Sequence, residues 1–329
     1  MKIRKDVLLG ALSKVKVGLS DKAIIDQTDH FIFDKDYVRT YNDQVAVSFP
    51  LATGLSMAIK ASGFYKLISK IQAEEINMDI VENQLELLAG RTKAKISIAS
   101  EIKCPAVPIS KNKNWRQLPS DFADGLKFCS FSADKNMLIQ ELTCLWITAD
   151  NILSSDNWRA TKFYLDGKID SPFLLPAVSA RTLAKYAPVD YLLEQAWVHF
   201  KNKEGAIFSS RTVAGVYPEA IWSLFEVDGD KVVLPSGLQA SVDTATALVE
   251  KNEEDFIELS VQSGQMLCKG KGVGWEVEEE YQIRCRKNFE IKVSPEALVE
   301  ILAHTSEMIV GENKLFFGGD KFEHVICVN

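Results

Sequence analysis

Few groups in this chain are placed to make or break a covalent bond. The four histidines, His30, His199, His304 and His324, lie far apart, with no metal-ligand spacing and no Ser/His/Asp or paired-carboxylate arrangement that the sequence can specify. The six cysteines, Cys104, Cys129, Cys144, Cys268, Cys285 and Cys327, form no C-x-x-C pair, which points to buried thiols rather than to a zinc site or a disulfide framework. Asp26, Asp29, Asp34 and Asp36 surround His30 and imitate a metal cluster, but their alternation with Ile32 and Phe33 reads as the wet side of a hairpin. Gly270-Lys271-Gly272-Val273-Gly274 lacks the Gly-Lys-Ser/Thr ending of a phosphate loop and sits between strand patterns, so a hairpin turn is expected there. The expectation is a protein with no catalytic residue, no metal and no cofactor.

Charge narrows the classes further. The 329 residues carry a formal charge of −7, with 47% apolar and 25% charged side chains. That is the composition of a globular protein with ample length for two or three domains. An acidic sum argues against gripping nucleic acid over the whole surface, yet it leaves room for a local basic face if the two signs are segregated. No apolar run approaches the ~18 residues of a spanning helix. The start, Met1-Lys2-Ile3-Arg4-Lys5-Asp6, has no signal-peptide core. A cytoplasmic protein is expected.

The elements that would position these residues recur three times. A helical pattern, strands, a short apolar strand feeding a second helix and then a hairpin form a repeat of about 115 residues, the size of a domain. First helices are predicted to begin near Arg4, Pro119 and Pro235, and second helices near Ser62, Ala177 and Ser294. Ser294-Pro295 is a good start signal, because Ser caps a helix and Pro at the first helical position gives up no needed N–H. Hairpins are predicted at Ile76 to Leu88, Trp197 to Ser209 and Met308 to Phe317, with Asn and Gly available for positive φ at the turns. Pro105 to Asn114 and Pro218 to Asp230 read as linkers, giving domains at 1–107, 115–218 and 230–329. Antiparallel strand spacing with segregated helices makes the class α+β. Open sheets would leave an exposed edge in every domain, and stacking the domains edge to edge into a closed ring removes that liability.

Three motifs then carry a resemblance. Gly90-Arg91-Thr92-Lys93-Ala94-Lys95-Ile96-Ser97-Ile98 closes the first repeat, Phe208-Ser209-Ser210-Arg211-Thr212-Val213-Ala214-Gly215-Val216-Tyr217-Pro218 closes the second, and Ser155-Asp156-Asn157-Trp158-Arg159-Ala160 lies between them. In this order, and over nearly the whole chain, they resemble the bacterial-type sliding clamp, the beta subunit of DNA polymerase III. The resemblance implies three similar clamp domains, a head-to-tail homodimer closed into a ring, and helices lining a hole that holds duplex DNA. It further implies that polymerases and an ATP-driven clamp loader attach through a short peptide motif.

Three sets of residues follow from that resemblance. At the dimer interface, Arg91, Lys93 and Lys95 alternate along one predicted strand and Glu276, Glu278 and Glu280 along another, with Glu279 opposite; Ala94, Ile96, Leu248 and Val249 supply an apolar centre. Complementary charge would set register and partner choice. Toward DNA, Arg4, Lys5, Lys14, Lys16, Lys22, Lys66, Lys70, Lys135, Arg181 and Lys185 lie on or beside the helices of the first two domains, where phosphate contact would be independent of sequence. The third domain's helices instead carry Asp243, Glu250, Glu296 and Glu300. The partner-peptide cleft corresponds to Leu142, Ser155, Asn157, Trp158, Arg159, Ala160, Tyr217 and Pro218 with Val325, Ile326 and Val328. Trp158 stands where the family has His, and the C-terminus lacks the family's Met-Pro-Met-like tail, so a different peptide preference is expected. Two other classes remain open on the sequence alone: a clamp-fold interaction scaffold that does not encircle DNA, and an unrelated α+β hydrolase.

Overall fold

Each repeat folds as strand, helix, four strands, helix, three strands. The structure, a computed structural model, describes residues 1–20, 22, 24–110, 114–136, 138–247, 257–272, 275–293 and 295–327, the side chains of 247, 275, 296 and 297 excepted. The first repeat comprises β1 (Lys2–Arg4), α1 (Lys5–Val15), β2 (His30–Asp34), β3 (Tyr37–Tyr41), β4 (Val45–Pro50), β5 (Ser56–Lys60), α2 (Ala61–Lys70), β6 (Glu75–Val81), β7 (Gln84–Ala89) and β8 (Thr92–Ser97). The second comprises β9 (Arg116–Gln117), α3 (Phe122–Cys129), β10 (Cys144–Ile147), β11 (Asn151–Ser155), β12 (Arg159–Tyr164), β13 (Phe173–Pro176), α4 (Ala177–Ala184), β14 (Pro188–Leu193), β15 (Trp197–Asn202) and β16 (Ile207–Arg211). A one-turn helix, α5 (Ile221–Leu224), follows. The third comprises β17 (Asp230–Val233), α6 (Leu238–Ala247), β18 (Ile257–Gln262), β19 (Gln265–Gly272), β20 (Trp275–Gln282), β21 (Phe289–Val293), α7 (Pro295–Leu302), β22 (Glu307–Val310), β23 (Lys314–Gly318) and β24 (Phe322–Cys327).

The helices form where apolar residues recur at helical spacing. Leu8, Ala11, Leu12 and Val15 bury one stripe of α1, and Ala61, Phe64 and Ile68 do the same for α2, where Phe64 meets Phe33 edge-on at 6.0 Å. Pro119 and Pro235 lie three residues ahead of the helices they announce: their carbonyls accept the N–H groups of Phe122 and Leu238 in a leading turn. Ser294 falls outside the described residues, and α7 begins at Pro295. Gly125 of α3 has no room for a side chain, because a Cβ there would lie 2.8 Å from Phe163 and 2.9 Å from Ile152.

One prediction is corrected. The hairpin read at Trp197 to Ser209 exists, but it joins β15 to β16 and so stands one strand later than its counterparts β6/β7 and β22/β23. The true counterpart joins β14 to β15 through the turn closed by Glu194 N–H to Trp197 C=O. β14 escaped notice because α4 stops at Ala184 and Ala187 takes positive φ, a conformation the helical pattern running on to Tyr186 does not announce. In the first hairpin it is Glu82, not Asn83, that adopts positive φ.

The strands make four sheets. The order β5-β2-β3-β4-β16-β15-β14-β9 joins the first repeat to the second, and β13-β10-β11-β12-β24-β23-β22-β17 joins the second to the third. Two four-stranded sheets remain, β1-β6-β7-β8 and β20-β19-β18-β21. By contact the chain divides into two units, Met1–Ala123 with Arg181–Ala214 and Asp124–Ala180 with Gly215–Asn329, and each holds one eight-stranded and one four-stranded sheet.

The two joints inside the eight-stranded sheets obey one rule. Ile59, Leu175 and Val293, the core-facing strand residues before the second helices, pair with Phe31, Leu145 and Ile257. Continuing through the ladders makes Ser48, Lys162 and Glu278 equivalent. The ladders of the second halves make Lys93, Ile207 and Glu323 equivalent in the same way. The first joint pairs Ser48 with Ile207 and the second pairs Lys162 with Glu323, so both have the same register.

Candidate functional site

The outer face of the β12/β24 joint is the most built of the predicted sites. Residues opposite each other across a ladder share a face, as do residues two apart along a strand. Trp146, Leu153, Lys162 and Glu323 therefore form one row, and Ser155, Ala160 and Val325 form the next. The opposite face meets the helices and holds Ile152, Thr161, Phe163, Phe322 and His324.

Half of the outer face is roofed by the segment around α5. Tyr217, buried, stacks on Trp146 at 5.6 Å with the rings 15° apart, and Trp222 meets Trp146 edge-on at 5.6 Å. Burial pushes the Tyr217 phenol well above its ordinary pKa. Beneath this roof the Lys162 ammonium pairs with Glu323 at 2.5 Å and lies 4.6 Å from the Phe225 ring and 5.0 Å from that of Tyr164. Glu323 also accepts the Tyr164 hydroxyl at 2.5 Å. Desolvation opposes the Lys162 charge, but Glu323 outweighs it and the pKa is raised.

The other half adjoins an exposed turn. Asp156 accepts the N–H groups of Trp158 and Arg159 at 3.2 and 3.1 Å and the Arg159 Nε at 2.8 Å, while Ser155 Oγ donates to the Arg159 carbonyl at 2.9 Å. Asn157 supplies the positive φ, 71°, that the turn needs. Cys327 N–H donates to the Trp158 carbonyl at 2.7 Å, which pins the turn to β24. Trp158 is thus held by its backbone while its side chain stays 63% exposed. Leu142 is buried, and the carboxylate of neighbouring Glu141 lies against Gly215, ahead of Tyr217 and the exposed Pro218.

Most of the predicted cleft therefore comes together. Arg159 and Ile326 do not share its surface: they pair with each other on alternate positions from Ala160 and Val325, and adjacent strand residues point to opposite faces. Val328 lies outside the described residues. Trp146, Trp222, Lys162 and Phe225 were missed by the sequence reading; only the strand register and the fold-back of the linker reveal them.

The predicted interface strands are two free edges. β8 and β20 end their sheets, and Lys93 and Lys95 alternate with half-buried Ala94 and Ile96. Arg91 is corrected to the turn before β8, so two cations, not three, alternate on that strand. Glu276, Glu278 and Glu280 alternate along β20 as expected. Lys269 bridges Glu276 and Glu278, which holds the Glu276 carboxyl below its ordinary pKa. Lys95 pairs with Glu86 at 2.7 Å, and Glu280 accepts from Gln265 at 2.7 Å. Glu279 turns toward α6, accepting from Ser241 at 2.6 Å. Leu248, Val249 and Glu250 lie outside the described residues.

The helix cations fall into two groups. Arg4 pairs with Asp6 at 2.5 Å, Lys5 donates to the Ile71 carbonyl at 2.5 Å, and Lys14 pairs with Glu204 below the Phe49 ring. Lys16 lies 4.8 Å from the centre of the Tyr65 ring. Lys22, Lys66, Lys70, Lys135, Arg181 and Lys185 are exposed. In the third repeat Asp243 is exposed, while Glu300 is held by Lys127 of α3 at 3.0 Å, a compensation the sequence reading did not foresee.

Among the described residues, no group of three His, Cys, Asp or Glu side chains is placed to hold a metal. All six cysteines are free thiols. No helix among those residues is long and apolar enough to cross a membrane.

No protein-family model and no curated protein sequence matches the chain. Solved structures match it end to end. A putative DNA polymerase III beta subunit from Eubacterium rectale has a TM-score of 0.81 at 15% identity, covering 100% of this chain and 98% of that one. The DNA polymerase sliding clamp from Bacillus subtilis has a TM-score of 0.80 at 16% identity with the same coverage. A Pseudomonas aeruginosa sliding clamp, DNA polymerase III subunit beta, bound to griselimycin has a TM-score of 0.79 at 17% identity, again covering 100% and 98%. Over its whole length, this chain has the three-repeat fold of the DNA polymerase III beta subunit sliding clamps.

Proposed function

We propose that the protein is a DNA sliding clamp: a non-enzymatic ring of two copies that encircles duplex DNA and tethers a polymerase and a clamp loader through short peptides. The observation that carries this reading is the pair of open edges. Both intrachain joints use the last strand of a first-half meander against the last strand of a second-half meander. In the third pairing of this kind the strands are β20 and β8, and both are free.

Applying the common register to that third joint sets Lys93 opposite Glu278 of the partner subunit, Ala94 opposite Val277 of the partner subunit, and Lys95 opposite Glu276 of the partner subunit. Nothing in the derivation of the register used charge, yet it yields opposite charges twice. A contact between unlike surfaces closes into a ring when its rotation permits, and closure would remove both edges.

Exposed Lys22, Lys66, Lys70, Lys135, Arg181 and Lys185 are the proposed phosphate-facing set, and Arg4, Lys5, Lys14 and Lys16 are its partly engaged members. Few and weak contacts suit a ring that slides, since topology already prevents escape. The domains proposed are 1–107, 115–218 and 230–329, and the location proposed is the cytoplasm.

The test is topological. Loaded onto nicked circular DNA by a clamp loader, the protein should co-elute with the circle and be released when the circle is linearised. Equal retention on both forms, or none on the circle, would reject encirclement; the latter outcome with intact peptide binding would favour the scaffold reading. For the cleft, Trp158→Ala should weaken binding of a polymerase-derived peptide by about tenfold while moving stability by less than about 0.5 kcal/mol. Unchanged affinity in fluorescence anisotropy would remove Trp158 from the site.

A further inference from the structure

The two free edges also have helix-facing sides, on which the rows of alternating charge play no part. On β20 this side carries half-buried Glu279, turned under the first turns of α6. One of its carboxylate oxygens, Oε2, accepts the Ser241 hydroxyl at 2.6 Å and the Tyr281 hydroxyl at 3.0 Å. Those two hydroxyls also meet each other, so the carboxylate is held by a linked pair of donors. The second oxygen, Oε1, has no hydrogen-bond or ion-pair partner among the described residues.

On β8 the helix-facing side begins with half-buried Thr92, which pairs with Ala89 of its own hairpin. Its hydroxyl likewise has no hydrogen-bond partner among the described residues. The register shared by the two intrachain joints sets Thr92 of the partner subunit opposite Glu279, one step along from Lys93 of the partner subunit opposite Glu278. At the second joint the main-chain bonds join Trp158 to Cys327 and Tyr164 to Lys321, so the alternate pairs, among them Phe163 with Phe322, are the ones without such bonds. Pairs of that kind bring their side chains closest together. Phe163 with Phe322 is the counterpart of Glu279 with Thr92: the intrachain joint is apolar where the free edges carry an acceptor and a donor.

From this we infer that the joint between subunits is keyed by a hydrogen bond from the Thr92 hydroxyl of one copy to Glu279 Oε1 of the other, and that this contact fits the β20 edge to the β8 edge of a second copy of the chain. The inference rests on the ring-closure reading and its register. An edge offering an apolar side chain at this point, as β24 does with Phe322, would cover Oε1 and leave a charged acceptor unsatisfied, and that loss outweighs what an ordinary hydrogen bond gains. Ser241 and Tyr281 add to the selectivity by holding Glu279 in place rather than letting it swing to water.

Dimer dissociation constants of the full-length protein, measured by sedimentation velocity, test this. Thr92→Val keeps the shape and strand preference of threonine and removes only the hydroxyl. A ring contains the contact twice, so this variant should raise the dissociation constant by at least about tenfold, while Thr92→Ser, which keeps the donor, should stay within about threefold of the parent. In a Glu279→Ala background the same Thr92→Val change should move the constant by less than about threefold, because its acceptor is already gone. A dimer as tight with Val as with Thr, a Ser variant as weak as the Val variant, or an undiminished effect of Val in the Glu279→Ala background would overturn the inference and leave the dimer standing. A parent protein that is monomeric at micromolar concentration would reject ring closure itself, and the inference with it.

Discussion

Replacing Lys93 and Lys95 together with glutamate should raise the dimer dissociation constant by at least about a hundredfold, seen in sedimentation velocity as a shift from dimer to monomer at micromolar concentration. In the proposed joint these lysines face Glu278 and Glu276 of the partner subunit. Reversal converts two attractions into two repulsions at each of the ring's two joints, and like charges set opposite one another across an interface cost several kcal/mol. Every 1.4 kcal/mol is tenfold in affinity, so about 3 kcal/mol gives the hundredfold.

The charges on the two edges are arranged to support this. Within the subunit Glu86 opposes Lys95 on one edge, while Lys271 and Lys269 oppose Glu276 and Glu278 on the other. Docking the edges would extend these into rows of alternating sign across the strands. Glu276→Lys/Glu278→Lys alone should also give monomers, and mixing the two reversed chains should restore a dimer of mixed composition. If Lys93→Glu/Lys95→Glu stays dimeric, or the mixture stays monomeric, the register is wrong. Both lysines are exposed, so the variant should keep its fold; an unchanged far-UV spectrum would confirm that the loss is one of association.

How much of this was legible in the sequence depended on whether a feature is local. The starts of α1, α2 and α4 fall within one residue of the predicted positions, because helical periodicity reports directly on a buried stripe such as Ala61, Phe64 and Ile68. The alternation of Glu276, Glu278 and Glu280 was readable for the same reason, as strand period needs no tertiary knowledge. β14 was hidden by an end to α4 that no glycine marks. The cleft residues were assembled by resemblance, and the resemblance could not tell that Ile326 turns away from Ala160. That depends on the phase of β24 against β12, which only the ladder fixes. The roof of Trp222 and Phe225 over Lys162 was equally out of reach, since it depends on where a linker folds back. The common register of the joints is the clearest case: every residue in it is in the sequence, but the equivalence of Ser48, Lys162 and Glu278 appears only once the strands are paired.

The β12/β24 joint should also make the protein sensitive to acid through His324. This residue is fully buried; its Nδ1 is 2.8 Å from the Thr161 hydroxyl, which in turn is 2.6 Å from Ser132 Oγ, while Nε2 has no partner among the described residues. The rings of Phe131 and Phe317 lie 5.3 and 6.2 Å away. Burial, helped by the positive charge of Arg159, lowers the His324 pKa from 6.5 to about 3. A histidine with a depressed folded-state pKa is neutral in both states above pH 6.5, so its contribution is complete there. Below that value the unfolded chain takes up a proton that the folded chain refuses, and stability falls by about 1.4 kcal/mol per pH unit until the folded pKa is reached. Between pH 6.5 and 4.5 the loss should be about 2.3 kcal/mol. Carboxylates held low by partners, such as Asp43 by Arg211 and Glu276 by Lys269, act in the same direction but only nearer their own titration range. The two sources therefore separate by pH. His324→Gln should start less stable at pH 7, having disturbed the contact with Thr161, but should lose about 2 to 3 kcal/mol less than the parent on going from pH 6.5 to 4.5 in urea titrations. Equal acid losses in the two proteins would mean that His324 titrates normally and that its burial is not maintained in solution.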